Sequence, residues 1–350
     1  MQRWSRAAAA WTPPGGWRRL VTVDAHTAGE PLRVVVDGFP QPVGSDILAR
    51  RRDAADRYDA LRRALMWEPR GHADMYGCLV VPPVTSAADF GVLFTHNAGY
   101  STMCGHGIVA VATVAVELGL VAAEGAEARV GIDTPAGFVA ARVAVENGRP
   151  RAVTFRNVPA FVAERAVRVD VPDLGTVECD IAYGGAFYAV TSAEALGLDL
   201  TPRNVEALVR AGRAVKAALV ARGQPVHPDP ERPDLGFLYG VIFVGPPADP
   251  SHHSRNVCVF ADGEVDRSPT GTGVSARLAL HHARGEIATG DAMVVESILG
   301  TTFVGRVVGD ADVHGVPAVL PEVTGSAHLT GRSEWWLDPA DPLAEGFLLR

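Results

Sequence analysis

Short β-branched runs, each closed by turn residues, recur along the chain and predict strands. They fall at Leu20–Val23, Leu32–Val36, Val92–Phe94, Val139–Val145, Val153–Phe155, Val241–Val244, Met293–Val295 and Phe303–Val308. Two longer stretches, Ile47–Leu65 and Asn204–Ala221, space apolar residues at helical intervals among arginines and predict amphipathic helices. Two others open at Gly105 and Gly271 with a glycine turn, continue through about a dozen good helix formers, and end at Gly119 and Gly285. Those two predict buried helices.

The buried pair is also an internal repeat. Thr102-Met-Cys-Gly-His-Gly-Ile-Val-Ala-Val-Ala aligns without gaps on Ser268-Pro-Thr-Gly-Thr-Gly-Val-Ser-Ala-Arg-Leu, close to half the chain away. Gly105 matches Gly271, Gly107 matches Gly273, Ala110 matches Ala276 and Gly119 matches Gly285. The expected architecture is two α/β halves, each a curved sheet around a central helix, related by a pseudo-twofold. Residues 1–19 are expected to form a disordered extension, 20–165 the first half and 166–334 the second, with about 335–350 returning to the first. Pro159 and Pro172 punctuate the boundary.

Composition narrows the function. At 350 residues, 47% apolar and 21% charged, the chain is long enough to bury a sizeable core. A net charge of −8, with no stretch after residue 20 that concentrates Lys or Arg over a face or tail, argues against nucleic acid as a partner. The longest apolar stretches, such as Ile108–Val116, are too short to span a membrane. Four separated cysteines (Cys78, Cys104, Cys179, Cys258) show no metal-ligand or disulfide spacing, so no metal site is expected and a reducing, cytoplasmic setting fits. Residues 1–23 contain no acid and four arginines, which leaves a mitochondrial presequence as the minority alternative.

Candidate chemistry lies at the two helix entrances. A glycine turn opening a helix offers free backbone N–H groups and the positive end of the macrodipole, which together attract a small carboxylate. The residues just before each Gly-x-Gly, Cys104 and Thr270, would flank a molecule held between facing entrances. A thiol at such a position is expected to have a lowered pKa and to serve as a thiolate base. A threonine hydroxyl offers only a hydrogen bond.

Four stretches resemble the proline racemase family, which includes 4-hydroxyproline epimerases and trans-3-hydroxy-L-proline dehydratases. They are Asp24-Ala-His-Thr-Ala-Gly-Glu-Pro-Leu-Arg33, Gly71-His-Ala-Asp-Met-Tyr-Gly77, Asn97-Ala-Gly-Tyr-Ser-Thr-Met-Cys-Gly-His-Gly107 and Asp266-Arg-Ser-Pro-Thr-Gly-Thr-Gly273. The resemblance spans residues 20 to about 340. It implies a diaminopimelate-epimerase-like fold, no cofactor, an imino acid substrate, and acid/base residues at Cys104 and position 270. By position, Gly105, His106, Gly271 and Thr272 would hold the substrate carboxylate, and Asp266 with His106 would meet the ring nitrogen. Racemases and epimerases of the family carry cysteine at both acid/base positions; Thr270 departs from that, as in the dehydratase branch.

Stereochemistry points the same way. Inversion at Cα needs groups on both ring faces, whereas elimination needs one base, so the reading is a cofactor-independent hydro-lyase acting on trans-3-hydroxy-L-proline. A proline racemase or 4-hydroxyproline 2-epimerase is the alternative, and a non-catalytic carboxylate-binding module the other. His26, Glu30, His72 and Asp74 read as structural hydrogen-bonders near the cleft. The pairs His252-His253 and His281-His282 read as surface residues, and Cys78, Cys179 and Cys258 as inert buried thiols. Trp335-Trp336 read as core or interface residues, which hints at a homodimer.

Overall fold

In the computed structural model, which describes residues 1–349, each half of the chain wraps a mostly apolar helix in strands. The first half contains β1 (Arg18–Thr27), β2 (Glu30–Asp37), β3 (Tyr76–Val81), β4 (Phe90–His96), β5 (Gly99–Tyr100), β6 (Glu127–Thr134), β7 (Gly137–Glu146) and β8 (Arg149–Arg156). The second contains β9 (Ala160–Val171), β10 (Gly175–Tyr183), β11 (Phe187–Ser192), β12 (Leu238–Gly245), β13 (Ser254–Phe260), β14 (Glu264–Asp266), β15 (Ala292–Glu296), β16 (Thr302–Val313) and β17 (Val316–Gly325). A last strand, β18 (Ala327–Leu337), returns to the first half and pairs antiparallel with β1. The helices are α1 (Gln2–Ala10), α2 (Ile47–Met66), α3 (Gly105–Glu117), α4 (Val205–Arg222) and α5 (Gly271–Ala283).

Strand pairing repeats the pseudosymmetry seen in the glycines. In the first half, β2 runs parallel to β3, β3 antiparallel to β4, β4 parallel to β6, and β6, β7 and β8 follow antiparallel. The second half uses the same sequence of pairings through β11, β12, β13, β15, β16 and β17. Strand β17 pairs back onto β9, so β9 to β13 with β15 to β17 close into a barrel of eight strands. Closure leaves no free edge around α5.

One outer strand, β18, crosses from the end of the second half to the first. The expected boundary region is a continuous strand, β9, with Pro159 and Pro172 just outside its ends, where the missing N–H breaks no ladder bond. The return to the first half begins at Ala327, earlier than residue 335. At the N-terminus, α1 is helical with no buried residue, and β1 begins at Arg18.

Burial explains the composition of the central helices. Every residue of α3 from Gly105 to Ala115 is buried, as is every residue of α5 from Gly271 to Leu280. Their Ala and Gly positions let surrounding strands approach closely, and both end at left-handed glycines, Gly119 and Gly285, each at φ 72°. All eight expected strands lie within observed ones, which extend up to five residues further at an end, and both amphipathic helices are present within a residue or two.

Candidate active site

The entrances of α3 and α5 meet. A methyl on Gly105 would stand 2.5 Å from the Gly271 Cα, and one on Gly271 would stand 2.8 Å from the Gly105 Cα. Only glycine allows two helix N-termini to approach this closely, and their first N–H groups have no intrahelical partners. The second glycine of each turn serves packing: a methyl on Gly107 would crowd Phe94 and the Cys104 sulfur, and one on Gly273 would crowd Ile242 and Thr270.

Cys104, Gly105, His106, Asp266, Thr270, Gly271 and Thr272, all separately expected at the site, line one cleft. The cleft is nearly closed, at about 10 Å³, roughly the room of one water. As it stands the cleft is too small for a proline-sized molecule. A groove of about 670 Å³ lies elsewhere, toward the C-terminal end of α5 beside Arg277, His281 and Arg284, remote from both entrances.

Pseudosymmetry breaks at the two flanking residues. Cys104 is extended at φ −147°, and its sulfur caps its own helix by accepting the Gly107 N–H at 3.2 Å. Thr270 is left-handed at φ 63°, an uncommon conformation for a β-branched residue, and its side chain caps nothing. Its buried Oγ1 has no hydrogen-bond partner. The turn behind it is held from below: the Arg277 guanidinium donates to Asn256 Oδ1 at 2.6 Å, and Asn256 Nδ2 donates to the Pro269 carbonyl at 2.6 Å.

Electrostatics correct one expectation. The Cys104 thiol is not lowered by its helix entrance; burial pushes it well above the ordinary thiol value, and the Gly107 N–H only partly opposes this. Desolvation outweighs the helix end because the cleft is nearly dry. His106, whose Nδ1 lies 3.1 Å from the sulfur, is pushed down to about 3 by burial and by the Arg267 cation, so its ring is neutral. Burial raises Asp266 to about 6, against the Ser268 N–H it accepts at 2.8 Å.

Several residues read as structural tie the halves together. Glu30 is fully buried and accepts the Arg267 N–H at 2.8 Å and its guanidinium at 3.2 Å, leaving Oε1 unpartnered. Asp74 accepts the Val265 N–H at 3.3 Å, also across the halves. His26 accepts the Gly29 N–H, and His72 bonds the Ala73 carbonyl. His252 and His281 are not bare surface groups: each ring pairs with a carboxylate, Glu296 and Glu286 respectively. Trp335 lies on β18, donates to Thr22, and stacks beneath Arg33.

Sequence reasoning missed the aromatic and second-thiol lining. Tyr76, Tyr188, Tyr239, Phe260 and Cys258 all line the cleft. Only Tyr76 carried a signal, since it sits inside the Gly71–Gly77 motif; the others sit on strands, where alternation reads as core. Among the described residues, no three His, Cys, Asp or Glu side chains gather as metal ligands.

The chain matches the proline racemase family model over residues 22–348. The chain belongs to the proline racemase family. It is similar to a 3-hydroxyproline 2-epimerase of Burkholderia multivorans (strain ATCC 17616 / 249), at 50% identity over 95% of this chain and 99% of that protein. It is as similar to a trans-3-hydroxy-L-proline dehydratase of Burkholderia ambifaria (strain ATCC BAA-244 / DSM 16087 / CCUG 44356 / LMG 19182 / AMMD), at 50% identity over the same shares. A crystal structure of a hydroxyproline epimerase from Agrobacterium vitis, with bound trans-4-hydroxy-L-proline, superposes with a TM-score of 0.91 at 34% identity, covering 95% of this chain and 96% of that one.

Proposed function

We propose that the chain removes water from trans-3-hydroxy-L-proline to give Δ1-pyrroline-2-carboxylate, with Cys104 as the proton acceptor. One observation supports the reading: Cys104 and Thr270, one before each helix entrance, line the same cleft, with Gly105 and Gly271 in backbone contact beside them. The amides of Gly105, His106, Gly271 and Thr272 hold the substrate carboxylate, and Asp266 with His106 meets the secondary ammonium. As the α-proton leaves, negative charge grows on that carboxylate, and preorganised amides in a nearly dry cleft stabilise it most at the transition state. The entering ammonium also opposes the burial that keeps the thiol protonated, since a nearby cation favours the thiolate. The α-hydrogen and the C3 hydroxyl of this substrate share the face opposite the carboxylate, so a single base on that face can serve a syn elimination. Thr270 borders the other face without supplying a base.

A second reading, 2-epimerisation, is favoured by Cys258, a buried thiol lining the same cleft as Thr270. The two readings separate on product. Incubation with trans-3-hydroxy-L-proline should give an imine that reacts with o-aminobenzaldehyde; a 2-epimer with no imine would establish epimerisation instead. The two halves, β1 to β8 with the returning β18 and β9 to β17, act as the two jaws. The enzyme is further proposed to be cytoplasmic and to associate as a homodimer through the face bearing Trp336, which is exposed beside Trp11. None of its described helices is long and apolar enough to cross a membrane.

A further inference from the structure

Elimination requires a proton for the departing hydroxide as well as a base for the α-hydrogen, and the cleft contains few groups able to give one on the Cys104 side. Thr270, Cys258 and Asp266 belong to the α5 side. Tyr188 is committed there too, its hydroxyl 2.7 Å from Thr272 Oγ1. Tyr76 is different. It rises from β3 in the same half as Cys104, its ring meets the His106 ring edge-on at 4.7 Å, and it lines the same cleft as the thiol.

That hydroxyl is also the middle of a buried chain. It lies 2.7 Å from Ser101 Oγ and 3.3 Å from the Tyr239 hydroxyl, which reaches in from β12 of the other half. Burial raises both phenols well above their ordinary value, so each remains a neutral donor. We propose that Tyr76, backed by Ser101 and Tyr239, is the acid that protonates the leaving C3 hydroxyl, and that it returns the base to its starting state.

The step balances. The Cys104 thiolate takes the α-hydrogen, and the Cα–H electron pair becomes the Cα=C3 double bond. The C3–O bond breaks with its pair on oxygen, which takes the Tyr76 proton and leaves as water. Tyr76 takes the proton now on Cys104, restoring phenol and thiolate together. No phenolate accumulates, which is why a phenol with a raised pKa can serve. The enamine then tautomerises to the imine.

The inference rests on the dehydratase reading, and its test keeps the two apart. Wild type and Tyr76→Phe are incubated with trans-3-hydroxy-L-proline in deuterated water, following imine formation and deuterium at Cα of recovered substrate. Phenylalanine keeps the ring contacts, and an unchanged melting temperature confirms the fold. The expected result is a loss of imine formation by about 10² to 10⁴-fold in the variant while Cα exchange persists, because abstraction continues but the hydroxide cannot depart. Tyr239→Phe should lose less. Imine formation within threefold of wild type in Tyr76→Phe overturns the proposal. So does an equal loss of exchange and elimination, which would make Tyr76 a support for the base. A wild type that forms no imine sinks the dehydratase reading itself.

Discussion

Gly105 and Gly271 stand back to back, so that a single methyl on Gly105 would lie 2.5 Å from the opposing Cα. No flexible side chain is available to yield there; backbone meets backbone. Gly105→Ala should push the two helix entrances apart and misplace the carboxylate-binding amides. The expected loss in kcat/KM is about 10²-fold or more, because displacement by roughly 1 Å is enough to cost that much. Steady-state kinetics on the folded variant decides it, and near-native turnover would show that the entrances do not act jointly.

Cys104 is the proposed acceptor for the α-hydrogen. Cys104→Ala should lower imine formation by at least about 10² to 10⁴-fold, with only a modest fall in melting temperature from the lost sulfur cap on the Gly107 N–H. Serine should not rescue it, since an alcohol is a far weaker base. Residual activity within tenfold of wild type would move the base elsewhere.

The pH profile follows from two raised pKa values. Asp266, at about 6, must be ionised to meet the substrate ammonium, so kcat/KM rises as pH passes upward through that region. The buried thiol lies well above its ordinary value and must also lose its proton, so the rise should continue beyond pH 8. A plateau already established at pH 7 would show that the helix end wins over desolvation in the free enzyme.

Thr270 gives a third test. Thr270→Cys places a second thiol across the cleft and should create measurable inversion at Cα, read by chiral chromatography of recovered proline or hydroxyproline. Thr270→Ala should reduce dehydration by less than Cys104→Ala does. A folded Thr270→Cys variant with no inversion would contradict the opposed-face geometry.

Asn256 joins buried Arg277 to the turn that carries Thr270. Asn256→Ala strips the guanidinium of an acceptor and the Pro269 carbonyl of its donor. Unfolding in urea should show a loss of about 1 to 3 kcal/mol, the usual cost of leaving buried polar groups unmatched. A change within 0.5 kcal/mol, the range expected of a surface site, would mean water replaces the amide.

Local pattern alone disclosed the strands, the two glycine-entered helices, the repeat that pairs Cys104 with Thr270, and the family. These are properties of short segments: alternation, turn chemistry and helix caps act within a few residues. The return of β18 to the first half, and the closure of one barrel by β9 and β17, depend on pairings between residues more than a hundred positions apart, which no window of sequence contains. Tertiary packing likewise decided the thiol's ionisation, because burial from every side outweighs the one helix end visible in the sequence. It also turned Tyr76, Tyr239 and Cys258 from apparent core residues into cleft lining: a strand shows which positions face inward, but not that the inside of one half opens onto the chemistry of the other.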